Sequence, residues 1–359
     1  MTKPRARDLG IPFEGTPATH NAISDVPDVT VGYCTIIEGD SARTGVTIIH
    51  PRGQENHDPV FAGWFPFNGN GEMTGSAWVD EGGFLEGPIG ITNTHSVGVV
   101  RDTIIQWQVH HSRIFQGWSC PLVSETADGW LNDINAFFVK PDHVLEALRS
   151  AKSGPILEGN VGGGTGMLCY EFKGGTGTSS RKIPKKLGGW TVGALAQTNF
   201  GRRFQLTVAG VPVGQHIKDN TIWGTGESPF KQDDGSLIVV IATDAPLLPH
   251  QLKRLAKRAS LGMARTGSLG GNGSGDIFIA FSTANPDAAL GNQNGLASIH
   301  ALSNNFIDPI LMASAYATEE AIINSMIAAD DMTGYKGVHA KALPHDKLKQ
   351  IMKQYNRIK

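Results

Sequence analysis

Short apolar runs separated by glycine-rich turns fill the first half of the chain, and longer apolar repeats follow in the second. Val29-Thr30-Val31-Gly32-Tyr33 alternates as a half-buried strand does, and Gly45 to His50 and Val60 to Trp64 predict two more strands. Asn68-Gly69-Asn70-Gly71 has the composition of a turn. A short helix is predicted from Val144 to Lys152, after Pro141-Asp142, and strands at Trp190 to Ala196 and Gln205 to Val211. Asp219 to Gly235, DNTIWGTGESPFKQDDG, is polar, rich in turn formers and aperiodic, which predicts an exposed loop. Directly after it, Ser236 to Thr243 reads SLIVVIAT, too apolar for a surface strand and short enough for a fully buried one. Leu248, Leu252, Leu255, Ala259 and Met263 recur at helical spacing, so 248–265 is expected to form one amphipathic helix with a basic outer face. Asp276 to Ser282 predicts a second buried strand. Pro309 to Ala329 and Pro344 to Ile358 predict helices, each with proline near its start. Buried strands flanked by amphipathic helices imply helices packed on sheet, with the strand order left open.

Composition narrows the class. With 359 residues, 40% of them hydrophobic, the chain has enough apolar surface to bury a sizeable core. A formal net charge of -2 and only short basic runs (Arg181 to Lys186, Lys253 to Lys257) argue against a nucleic-acid partner. Cys34, Cys120 and Cys169 make neither a disulfide framework nor a zinc pattern and suit a reducing compartment. No apolar targeting segment follows Met1, and no uncharged run is long enough to span a bilayer, so a cytoplasmic protein without membrane contact is expected. His110-His111 and the other histidines lack zinc-protease spacing, and no metal or cofactor is expected. Gly162-Gly163-Gly164-Thr165-Gly166 lacks the Gly-Lys-Ser/Thr of a phosphate loop and reads as tight packing. Asn93-Thr94-His95-Ser96 reads as a satisfied turn rather than a pocket wall.

Two short segments carry chemistry. Ser236 opens a buried strand directly after Asp-Asp-Gly. Its hydroxyl is placed to attack the carbonyl of Gly235, and hydrolysis of the resulting ester would leave Ser236 with a free α-amine. Such an amine has a reference pKa of about 7.7–8.0 and takes the hydroxyl proton near neutral pH, an established way to activate a weak nucleophile. The plainer alternative is an ordinary turn entering a strand. Downstream, Gly271-Asn272-Gly273-Ser274-Gly275-Asp276 sets a serine and a carboxylate two positions apart, where a strand would turn both to one face. A glycine loop with a strand-entry Asp is the alternative there.

Those two segments, with Gln197-Thr198-Asn199-Phe200-Gly201-Arg202 and Glu125-Thr126-Ala127-Asp128-Gly129-Trp130, resemble the L-aminopeptidase/D-esterase and β-peptidyl aminopeptidase family, from about Gly10 to the C-terminal helices. The resemblance implies a four-layer αββα sandwich, similar to N-terminal nucleophile hydrolases but with different connectivity. It implies autocatalytic cleavage into an α-chain of residues 1–235 and a β-chain of residues 236–359 that stay associated, assembled as a tetramer of heterodimers. The implied activity is that of an aminopeptidase, acting on small peptides, amides or esters with a free N-terminus through an acyl-enzyme. It assigns Ser236 as nucleophile, Ser274 as the serine beside it, Asp276 as the completing acid, Asn199 as oxyanion donor and Glu125 as the carboxylate for the substrate ammonium. Trp130 is a candidate pocket wall, with core packing the equal alternative. Where some members carry a tyrosine two residues after the glutamate, this chain has Ala127. An N-terminal-nucleophile acyltransferase, or an uncut small-molecule-binding protein, is the competing reading.

Overall fold

The apolar runs become strands stacked in two facing sheets. The computed structural model describes residues 3–222 and 235–359. The strands of the two sheets and of one small hairpin are, in order, β1 (Thr30–Glu38), β2 (Ala42–His50), β3 (Val60–Pro66), β4 (Phe84–Leu85), β5 (Ile89–Asn93), β6 (Leu122–Thr126), β7 (Leu168–Cys169), β8 (Phe172–Lys173), β9 (Gly175–Lys182), β10 (Thr191–Asn199), β11 (Ser236–Thr243) and β12 (Gly275–Ser282), and Met332–Thr333 pairs with His339–Ala340. The helices are α1 (Ser76–Gly82), α2 (Val97–His110), α3 (Pro141–Arg149), α4 (Val213–His216), α5 (Pro249–Lys257), α6 (Ala259–Arg265), α7 (Asp308–Ile327) and α8 (His345–Gln354). One sheet has the order β1-β2-β5-β6, the other β4-β3-β12-β11-β10-β9, and β7 and β8 form a separate hairpin.

Three apolar clusters define four layers. Between the sheets, Ile49, Ile89 and Ile91 meet Leu195, Ile238, Val240 and Ile279. On the outer face of the smaller sheet, Val46 and Ile48 pack on Ile104 of α2 and Val144 of α3. On the outer face of the larger sheet, Leu237, Val239 and Phe278 pack on Leu252 and Leu255 of α5 and Ile322 of α7. The architecture is therefore αββα, as the family resemblance implies.

β11 sits inside this stack with all eight residues buried. Full burial of a Val, Leu or Ile contributes about 1.5–3 kcal/mol, so the five such residues of β11 hold its register firmly. A slip of one residue would exchange its two faces and turn Ser236 away from the space between the sheets. Both parallel pairs, β5–β6 and β11–β12, are joined through helices, and these two units deliver Glu125 and Ser236.

Two elements differ from the sequence expectation. Residues 248–265 form two helices, broken at Arg258, where the Arg258 N–H bonds the Leu255 carbonyl at 3.0 Å. The break lets α6 lie close on α7 at Gly262, where a Cβ would stand 2.6 Å from the Ala315 carbonyl oxygen. Residues 205–211 are not a strand. Ala209 and Gly210 take left-handed backbone, with φ of 46° and 85°, and reverse the chain between Val208 and Val211. Their apolar neighbours Leu206, Val208 and Val211 are buried by that turn in the helix-side core. The expected loop over 219–235 falls, for residues 223–234, outside the described residues. Among the described residues no helix is long and apolar enough to cross a membrane.

Candidate active site

The site forms at one end of the space between the sheets. Ser236, the first residue of β11, lies opposite Asn199 at the end of antiparallel β10 and opposite Gly275 at the start of parallel β12. Ile238, Val240 and Ala242 face the other sheet, and Leu237, Val239 and Ile241 face the helices. Ser236 is in phase with the former set and so turns toward the sheet that carries Glu125.

Gly235 is held tightly. Its carbonyl accepts the Gly275 N–H at 3.1 Å, the first bond of the β11–β12 ladder. A Cβ on Gly235 would stand 2.3 Å from the Asn199 carbonyl oxygen and 2.5 Å from Phe200 Cα. Both neighbours are backbone and cannot swing aside, so glycine is required here by close approach.

Glu125, on β6, is buried with 2% exposure. One carboxylate oxygen accepts the Glu72 N–H at 2.9 Å, and the other accepts the Thr94 hydroxyl. Burial pushes its pKa up, against those two hydrogen bonds. No Lys, Arg or His is ion-paired with it among the described residues. His95 is near enough to favour the carboxylate weakly, but a buried carboxylate without an ion-paired cation is costly, and the arrangement suits an arriving ammonium. Gly71 connects it to the nucleophile's strand pair. A Cβ there would lie 3.0 Å from Glu125 Oε1 and 3.2 Å from Gly275 Cα.

Ser274 and Asp276 are both buried, and the Ser274 hydroxyl donates to Asp276 Oδ1 at 2.8 Å. Asn68 Nδ2 donates to Asp276 Oδ2 at 3.1 Å. In phase with Phe278 and Ala280, Asp276 shares their helix-side face, so it approaches the junction from beside the strand rather than from the face of the Ser236 hydroxyl.

Asn199 is oriented by two bonds. Its Oδ1 accepts the Leu168 N–H at 2.9 Å, and its Nδ2 donates to the Ala127 carbonyl at 2.8 Å. An amide nitrogen carries two hydrogens, so one is left for an incoming oxygen. Ala127 thus contributes its backbone, where a tyrosine would have offered a hydroxyl.

The structure brings Ser236, Asn199, Gly275 and Glu125 to one place, with Ser274 and Asp276 adjoining. Trp130 is 47% exposed, which leaves the core-packing alternative aside. Sequence reasoning missed Asn68, the Glu72 N–H and Thr94. The first two lie in or beside a segment legible only as a turn, and Thr94 lies in a segment that reads as one. The Gly162–Gly164 turn is packing, as expected: a Cβ on Gly163 would stand 2.2 Å from Gln197 Oε1.

The model of peptidase family S58 matches residues 21–340. The chain is 50% identical over 371 aligned residues to the beta-peptidyl aminopeptidase of Sphingosinicella microcystinivorans, covering 99% of this chain and 93% of that protein. Its fold matches a Burkholderia sp. beta-aminopeptidase with a TM-score of 0.90 at 46% identity, over 98% of this chain and 99% of the other. It matches equally, at 0.90 and 47% identity over 99% and 100%, the L-aminopeptidase D-Ala-esterase/amidase of Ochrobactrum anthropi, a prototype for the serine aminopeptidases with a variant Ntn-hydrolase fold.

Proposed function

The chain belongs to peptidase family S58 and is a serine-type aminopeptidase, and on that premise we propose that it cuts itself between Gly235 and Ser236 and then works through the new N-terminal serine. In the first reaction the Ser236 hydroxyl attacks the Gly235 carbonyl carbon, and the acyl group moves from nitrogen to oxygen. Water then hydrolyses the ester, leaving a carboxylate on Gly235 and a free amine on Ser236. The Gly275 N–H, already on the Gly235 carbonyl oxygen, supports the charge that develops there.

In the second reaction the Ser236 amine accepts the hydroxyl proton as Oγ attacks the substrate carbonyl. The remaining Asn199 Nδ2 hydrogen receives the oxyanion. The amine returns its proton to the leaving group, and water releases the acyl residue. Ser274 and Asp276 hold the amine, and Glu125 takes the substrate's ammonium. The observation that carries this reading is Glu125, a buried carboxylate with no ion-paired cation among the described residues, which shares the Gly71 neighbourhood with the nucleophile's strand pair. The substrates are short peptides and amides with an unblocked N-terminus, β-aminoacyl ones included because two relatives are named for them. This reading assigns Trp130, 47% exposed, to the wall of the substrate pocket.

The two chains stay associated after the cut. β11 belongs to residues 236–359 yet lies between β10, from 1–235, and β12, which in turn pairs with β3. Separation would break both of those cross-chain ladders. Assembly of four such heterodimers is carried over from the family resemblance and is read by size-exclusion chromatography, and a cytoplasmic location, suggested by the cysteine pattern, is read by fractionation. Intact-mass analysis tests the cleavage itself: two species are expected in place of one at 38.3 kDa. Ser236→Ala should remain whole and inactive. An active wild-type enzyme that is wholly uncut refutes the proposal.

A further inference from the structure

Lys173, on β8, is completely buried, and no carboxylate is ion-paired with it among the described residues. Its Nζ donates to three backbone carbonyls: Gly174 at 2.8 Å, Met167 at 3.0 Å and Gly164 at 3.5 Å. Burial pushes its pKa down to about 7. The three carbonyls favour the ammonium, the form with three N–H groups to give.

The Met167 carbonyl and the Leu168 N–H are the two ends of one planar peptide group. On the far side of that group, the Leu168 N–H donates to Asn199 Oδ1 at 2.9 Å. Ammonium, peptide and side-chain amide are thus connected in series, and the chain ends at the free Asn199 N–H. Hydrogen bonds in series polarise one another. A cation at one end therefore makes the last N–H a better donor to an anion at the other.

The hairpin that carries Lys173 is held under strain. Tyr170 and Glu171, at its turn, take left-handed backbone with φ of 51° and 62°, which non-glycine residues adopt at a cost. Arg203 secures it, with Nε on the Tyr170 carbonyl at 2.9 Å and Nη2 on the Glu171 carbonyl at 2.7 Å. Its guanidinium lies 3.4 Å from the centre of the Phe172 ring. Strain of this kind persists only where the surroundings over-determine it, and it clusters at functional sites.

We propose that Lys173 is a positioning residue for oxyanion stabilisation, acting through the Met167–Leu168 peptide to orient and polarise Asn199. The proposal rests on the reading of Asn199 as an oxyanion donor. The test is a double-mutant cycle on a p-nitroanilide substrate, with kcat expressed per cut chain. An oxyanion donor is worth about 100- to 1000-fold in kcat, and series polarisation strengthens a bond by about 10–30%. Lys173→Met should therefore lower kcat about 1.5- to eightfold with KM nearly unchanged, and Lys173→Arg should restore most of it. In an Asn199→Ala background, Lys173→Met should have no further effect. An equal loss in both backgrounds, or a rise in KM in place of the fall in kcat, overturns the relay while leaving Asn199 in its role. Full kcat in Asn199→Ala overturns the reading of Asn199, and the relay with it. Should Lys173→Met fail to fold, Lys173→Gln, neutral but polar, serves the same cycle with the same expected outcomes.

Discussion

Replacing Gly235 by alanine separates the chemistry of self-cleavage from that of the mature enzyme. The added methyl meets the Asn199 carbonyl oxygen at 2.3 Å and Phe200 Cα at 2.5 Å, both backbone atoms of the neighbouring strand end. Relief requires the 235 peptide to move, which draws its carbonyl away from the Gly275 N–H now at 3.1 Å and from the Ser236 hydroxyl. Overpacking of this kind costs about 1–3 kcal/mol. If that cost falls on the cleavage transition state, the rate drops about five- to 150-fold. The assay is a time course of the uncut band after rapid purification, at one temperature for both proteins. Once cut, residue 235 is the C-terminus of the released chain end and takes no part in turnover, so kcat per cut chain should equal that of the wild type. Wild-type cleavage by Gly235→Ala would refute the close-approach argument. Slow cleavage together with a lowered kcat per cut chain would show that the substitution disturbs Asn199 rather than the junction.

Two further predictions concern buried carboxyls. Glu125→Gln removes the charge that meets the substrate's ammonium and should raise KM about 10- to 150-fold for free amino-acyl anilides, the loss of one charged hydrogen bond. Self-cleavage should continue, since it involves no substrate amine, and an unchanged KM would remove Glu125 from substrate binding. Asp128 is fully buried, and burial raises its pKa from 3.8 to about 7. Between those values the unfolded chain has released a proton that the folded one keeps, so stability falls as pH rises across about pH 4 to 7 and levels off above. The contribution is at most about 4 kcal/mol. Asp128→Asn should flatten that slope in urea titrations at pH 4.5 and 7.5, and an unaltered slope would refute the assignment.

Much of this protein is legible from local pattern. Burial on both faces leaves a strand no polar positions, and for that reason β11 could be bounded at Ser236 and Thr243 from its residues alone. Its serine follows the last polar residues directly, so the junction and its chemistry came into view together. The family resemblance then assigned Glu125 and Asn199, which no local pattern singles out.

Tertiary structure decided how those residues are held. Glu125 is an ordinary glutamate in sequence, and its burial without an ion-paired cation among the described residues becomes visible only when β6 packs beside Thr94 and the Glu72 backbone. Asn68 meets Asp276 across 208 positions of chain, and Leu168 meets Asn199 across 31. Periodicity reports which face of an element meets solvent, and it says nothing about which distant segment supplies a hydrogen-bond partner. The same limit explains the errors. A spacing of three to four carried the helical pattern straight through Arg258, because the close approach of α6 to α7 at Gly262 that the break permits leaves no mark on that spacing. Leu206, Val208 and Val211 are as apolar as a strand requires, yet a left-handed turn at Ala209 and Gly210 buries them another way. Sequence determines which residues must leave water, and packing determines which of them meet.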